Sequence, residues 1–132
     1  MASFLPSTLR RKGLLIIRLS KPYSMRNFLI VLRYKVPIEV VEEHTPDHRA
    51  YLKTRYEAGD LLMSGPFVPR TAGVLWAQAQ DRDRIDSLIA NDPFNQRGVA
   101  DYEVIEFNPV MNAPALNSLF AAQKEAEVLS EK

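Results

Sequence analysis

"PDHRAYLKTRYEAGDLLMSGPF", residues 46–67, is the stretch on which the fold turns. Thr45-Pro46-Asp47 carries three helix-start signals: a capping hydroxyl, a proline at the first helical position where its missing N–H is not needed, and an early acid. Tyr51, Leu52, Arg55 and Tyr56 continue from His48 at 3-to-4 spacing, so a helix is predicted over about 46–58 with His48 on or beside its buried stripe. Gly59 supplies the stop. "DLLMSGPF" (60–67) then reads as a strand that bends at Gly65-Pro66, and its proline assigns it to a sheet edge.

Working outward, "NFLIVLRY" (27–34) is a β-branched apolar run suited to a buried strand, ended by Pro37. "IEVVEEH" (38–44) reads as a helical turn ahead of the main helix. "AGVLWAQAQ" (72–80) is the partner strand of 60–67 across a loop near Pro69 to Thr71. In "DRDRIDSLIA" (81–90), Asp81, Asp83 and Asp86 favour a helix N-terminus, and Ile85, Leu88 and Ile89 make its apolar face. "NDPFNQRG" breaks that helix, and "DYEVIEFNP" (101–109) alternates like a half-buried strand. The order strand, helix, strand, strand, helix, strand is ferredoxin-like α+β: an antiparallel sheet with both helices on one face. The other face needs cover, and a second copy packed sheet to sheet, a homodimer, is the simplest source. Leu29, Val31, Val74 and Trp76 or their strand neighbours would otherwise lie bare.

The 132 residues suit one domain, assigned to 27–110, with a leader over 1–26 and a tail over 111–132 whose Ala, Glu and Lys content permits a helix. With no cysteine, disulfides and thiolate chemistry are excluded, and metal ligation would fall on two histidines and carboxylates. The net charge of +1 hides an asymmetry: before Glu39 stand 8 bases and no acid, leaving 9 of the 17 bases against 16 acids in the remainder. The leader lacks the aromatic interleaving of a nucleic-acid surface, so no nucleic-acid partner is expected. Its bases and hydroxyls are those of a mitochondrial transit peptide, yet Met25 directly precedes the first strand. A leader without structural role, and hence a cytoplasmic protein, is the preferred expectation over the mitochondrial one. "GLLIIRLS" is too short to span a bilayer, and no membrane partner is expected.

Topology brings chemistry together. If the first strand runs upward, the first helix starts at the top and the second ends there, just before "NDPF". His48 and Asp92 then meet at one end of the sheet, with Ser64 to Phe67 and Tyr34 beside them. A carboxylate on an imidazole fixes its tautomer and supports its charged form, which makes His48 a candidate proton shuttle, Asp92 its partner and Ser64 a donor to a substrate oxygen. Gly-x-Ser-x-Gly is lacking, so no acyl-enzyme is expected. Arg33, Tyr34, Gly65, Pro66, Phe67 and Phe94 are the candidate substrate contacts, although alternation equally permits Arg33 to face solvent. From pattern alone each has a plainer reading: His48 as a helix-start residue, Asp92 as a turn residue, Ser64 as a strand end, Trp76 and Phe94 as core or pocket wall. His44 and His48 stand four apart, but Pro46 between them is expected to break the helical register, leaving His44 toward solvent and no metal pair.

These stretches, with "GVLWAQAQDRDRIDSLIANDPF" and "GVADYEVIEFNPV", resemble the YciI-like, or YCII-related, domain over about 27–110. His48, Gly59, Ser64-Gly65-Pro66, Asp92-Pro93-Phe94 and Gly98-Val99 stand at that family's motif positions in order. The resemblance implies a dimeric α+β barrel with a His–Asp pair in a pocket near the dimer interface. It also implies activities such as dehydrochlorination of chlorinated hydroxyquinols, with muconolactone isomerases and cofactor-free monooxygenases among related folds. The expected function is a cofactor-independent lyase- or isomerase-like enzyme acting on a small aromatic or lactone-type metabolite. The alternative is a non-enzymatic ligand-binding or regulatory dimer.

Overall fold

The computed structural model describes residues 25–120. The expectations for the leader 1–24 and for residues 121–132 of the tail lie outside them. Arg26–Val110 forms one compact unit, and within the described part of the other unit Pro114–Leu116 makes a 3-10 turn.

Four strands, β1 (Arg26–Tyr34), β2 (Leu61–Pro66), β3 (Ala72–Ala79) and β4 (Ala100–Phe107), make an antiparallel sheet in the order β2-β3-β1-β4. Three helices complete the unit: α1 (Ile38–Glu57), α2 (Arg82–Ala90) and the short α3 (Pro93–Gln96). This is the ferredoxin-like arrangement expected from the element order. Period-2 alternation sorts β1: Phe28, Ile30 and Leu32 join one buried cluster with Leu75, Ala77, Val41, Leu52, Ile85 and Leu88, so α1 and α2 pack on that face. β2 is an edge strand, which suits Pro66 and its missing N–H. The ladder irregularity lies between Leu61 and Met63, ahead of the expected bend at Gly65-Pro66.

α1 corrects the sequence reading. It starts at Ile38, not Pro46, and carries Pro46 inside it. An interior proline removes one helical hydrogen bond and disfavours the helix by ~3 kcal/mol or more, which is why the signals around Pro46 read as a start. Burial outweighs them. Val41, His48 and Leu52, spaced seven and four apart, are the helix's buried residues, so the turn before Pro46 is held by packing rather than propensity. Thr45 is not an N-cap: its hydroxyl donates to the Val41 carbonyl at 2.7 Å. The stop is as expected, with Gly59 at φ 84° and the Asp60 N–H returning to the Arg55 carbonyl.

The outer sheet face is less bare than expected. Val31 is buried and Leu29, Val74 and Trp76 are half-buried, while Met63 and Ile105 remain 53% and 42% exposed.

Candidate active site

Asp92 organises the site. It caps α3, accepting the Phe94 N–H on Oδ1 at 3.0 Å, and the same oxygen accepts from His48 Nδ1 at 2.7 Å. Its other oxygen accepts from the Tyr102 hydroxyl at 2.6 Å. The residue is 0% exposed and His48 8%, so both carboxylate oxygens are satisfied away from water, as a buried acid requires. The Phe94 ring stacks on the imidazole, with centroids 3.9 Å apart and planes 2° from parallel. One carboxylate therefore fixes both the histidine ring and the backbone of the residue that stacks on it.

An ionised carboxylate only accepts, so with Asp92 in that form the contact requires the His48 proton on Nδ1. Nε2 has no hydrogen-bond partner among the described residues, and His48 lines the cavity. Burial first, then the Asp92 charge and hydrogen bond, hold the Tyr102 hydroxyl far above the usual phenol range. Burial likewise raises Tyr51, whose hydroxyl donates to the Leu88 carbonyl at 2.7 Å between α1 and α2.

The cavity, about 170 Å³, opens beside His48. Tyr34, Ser64, Gly65, Pro66 and Phe94 line it, as the sequence reading proposed, and Tyr34 meets Phe94 edge-on at 6.2 Å. The Ser64 hydroxyl is hydrogen-bonded to that of Tyr56. Arg33 and Phe67 are not among the lining residues. Arg33 is on the sheet face opposite α1, its side chain 62% exposed and 3.3 Å from Glu103, because alternation turns it away from Leu32 and Tyr34. Phe67 follows the end of β2, half-buried, and closes the ladder through its N–H to the Ala72 carbonyl.

Three residues of the site were missed in the sequence: Tyr102, Arg49 and Arg70. The signal for Tyr102 was topological, since β4 starts at the end of the sheet where Asp92 lies and Tyr102 pairs with the inward-facing Leu32. Arg70 sits in the β2–β3 connection at that same end. His44 also needs correction. Pro46 does not break the register between His44 and His48, because α1 is continuous, and His44 is half-buried with Nδ1 3.2 Å from Arg97 Nη1. Among the described residues no group of three or more His, Cys, Asp or Glu side chains is placed to hold a metal ion.

A ferredoxin-like unit with a buried His–Asp pair beside a cavity is the class of protein that fold and site define. The match is to the YCII-related domain, over residues 24–108, and the chain belongs to that family. The xenovulene A biosynthesis cluster protein asL2 of Sarocladium schorii is 31% identical over 77 residues, spanning 49% of this chain and 67% of that protein. A solved structure, the 5-chloro-2-hydroxyhydroquinone dehydrochlorinase TftG of Burkholderia phenoliruptrix AC1100 in complex with 2,5-dihydroxybenzoquinone, shares the fold. It aligns with a TM-score of 0.53 at 22% identity, over 61% of this chain and 93% of its own. No described helix is long and apolar enough to cross a membrane.

Proposed function

We propose that the domain is a small cofactor-independent enzyme, lyase- or isomerase-like, that moves a proton on a small aromatic or lactone-type metabolite. The observation that carries this reading is the 2.7 Å contact from His48 Nδ1 to Asp92, which leaves Nε2 as a base at the cavity. The dehydrochlorinase activity and single-ring ligand named for the structural neighbour support it. So does the cavity's size, since about 150 Å³ is enough to hold benzene.

His48 Nε2 takes a proton from a C–H or O–H group acidified by a neighbouring carbonyl or ring. The freed electron pair forms a new double bond. In the lyase case the bond from carbon to a substituent conjugated with it breaks, the substituent leaves as an anion with that bond's own electron pair, and the imidazolium gives its proton to water; in the isomerase case the imidazolium returns the proton to another carbon. Asp92 holds the tautomer and stabilises the imidazolium, acting as a positioning residue. Ser64 and Tyr34, which line the same cavity, offer hydroxyls to a substrate oxygen.

Proton NMR in D2O, run over a panel of single-ring quinols, hydroxyquinones and lactones, tests this by reading deuterium exchange or elimination. A positioned base contributes about 10²–10⁴-fold, so His48→Gln should lose at least that lower figure. Saturable binding without exchange would make the domain a ligand-binding module instead. We also propose that a second copy covers the outer sheet face around Met63 and Ile105. Light scattering should then give twice the 15.0 kDa chain mass.

A further inference from the structure

The charged side chains of the cavity wall are both cations, Arg49 and Arg70. His48 lines it too, and no carboxylate does. Asp92 is behind the imidazole, its oxygens already taken by three donors. Arg49 follows His48 on α1 and makes no ion pair or side-chain hydrogen bond among the described residues. Arg70 reaches α1 one turn before His48. Its Nη2 donates to the Thr45 hydroxyl at 3.2 Å, which has given its own proton to Val41. The Arg70 Nε is buried with no acceptor among the described residues. Its nearest acid, Glu42, stands 3.9 Å from Nη1 with a side chain 61% exposed, a contact that solvent screens.

Two guanidinium groups beside a cavity with no carboxylate in its lining suit an anion. The nearby base adds a reason for it. As the base takes its proton, the negative charge that develops on the substrate is met by the neighbouring guanidinium groups. We propose that the cavity takes a one-ring substrate bearing an anionic oxygen group, held by Arg49 and Arg70 while His48 faces the reacting atom. This substrate class rests on the proton-transfer reading of His48.

Binding of matched pairs tests it. By calorimetry on the full chain, 2,5-dihydroxybenzoate is compared with 2,5-dihydroxybenzamide, and at pH 8.5 4-nitrophenolate with 4-nitroanisole, so that a carboxylate and a phenolate are read separately. At least one anion should bind tenfold or more tightly than its neutral partner. Arg49→Gln and Arg70→Gln should each weaken that anion about tenfold and leave the neutral partner within twofold, which also reports an intact cavity. Equal affinities within both pairs, no binding by any of the four, or a preference that survives the double variant would each overturn the subsite. His48→Gln separates the two readings. Anion preference kept there, with no exchange activity in the wild type, leaves the subsite standing and refutes the base; exchange without anion preference does the reverse.

Discussion

Replacing Tyr102 by Phe removes one oxygen, the one that donates to Asp92 Oδ2 at 2.6 Å. A hydrogen bond to a buried charged group contributes about 1.5–3 kcal/mol, so the variant should be ~2 kcal/mol less stable near neutral pH. The pH dependence of that gap is the sharper test. Tyr102 ionises in the unfolded chain near the ordinary phenol value of about 10, whereas burial and the Asp92 charge keep it protonated in the folded chain. Above pH 10 the unfolded state therefore binds fewer protons than the native state, and stability falls as pH rises. The slope is about 1.4 kcal/mol per pH unit. The Phe variant lacks this loss, while Tyr51, raised in the same sense, is present in both proteins and cancels. The gap should be constant from pH 7 to 9, shrink above 10 and close about one and a half units higher. Urea unfolding at pH 8, 9, 10 and 11 reads it. A gap under about 0.5 kcal/mol at pH 8, or one that stays constant to pH 11, would refute the buried Tyr102–Asp92 contact.

Asp92→Ala leaves the His48, Phe94 and Tyr102 donors unmet in a buried site, and urea unfolding should show a loss of about 3–5 kcal/mol, several times that of an ordinary surface change. Gly73→Ala should leave stability within about 0.5 kcal/mol, since the added carbon meets its nearest neighbour, the Gly65 carbonyl, at an ordinary 3.5 Å. Gly73→Leu extends into the cavity and should abolish ligand binding while the far-UV spectrum is unchanged. Ser64→Ala should lower turnover less than tenfold in the exchange assay, because its hydroxyl already has a partner in Tyr56.

The fold was legible because strand alternation, Gly59 and the acidic start of α2 are local signals that agree with one topology. The early start of α1 was not, since Val41 is held by contacts distant in sequence and a local reading gives Pro46 the deciding weight. For the site, His48, Asp92 and Phe94 followed from which ends of which elements come together. Arg33 did not, although the alternation that turns it outward is visible in "NFLIVLRY". Arg70 stayed hidden because its partner Thr45 is 25 positions away, inside a helix that starts eight residues before Pro46. Tyr102 reads as one more aromatic in an alternating strand until its face is set by pairing with Leu32.

The central claim is that Asp92 holds His48 with its proton on Nδ1 and offers Nε2 to the cavity. Nitrogen-15 spectra of the histidine rings, with His48 assigned by substituting His44, read this directly in the neutral ring. The expected result is a protonated Nδ1 and a bare, pyridine-like Nε2 for His48, lost in Asp92→Ala. A neutral His48 ring protonated on Nε2, or one indifferent to the loss of Asp92, would contradict it.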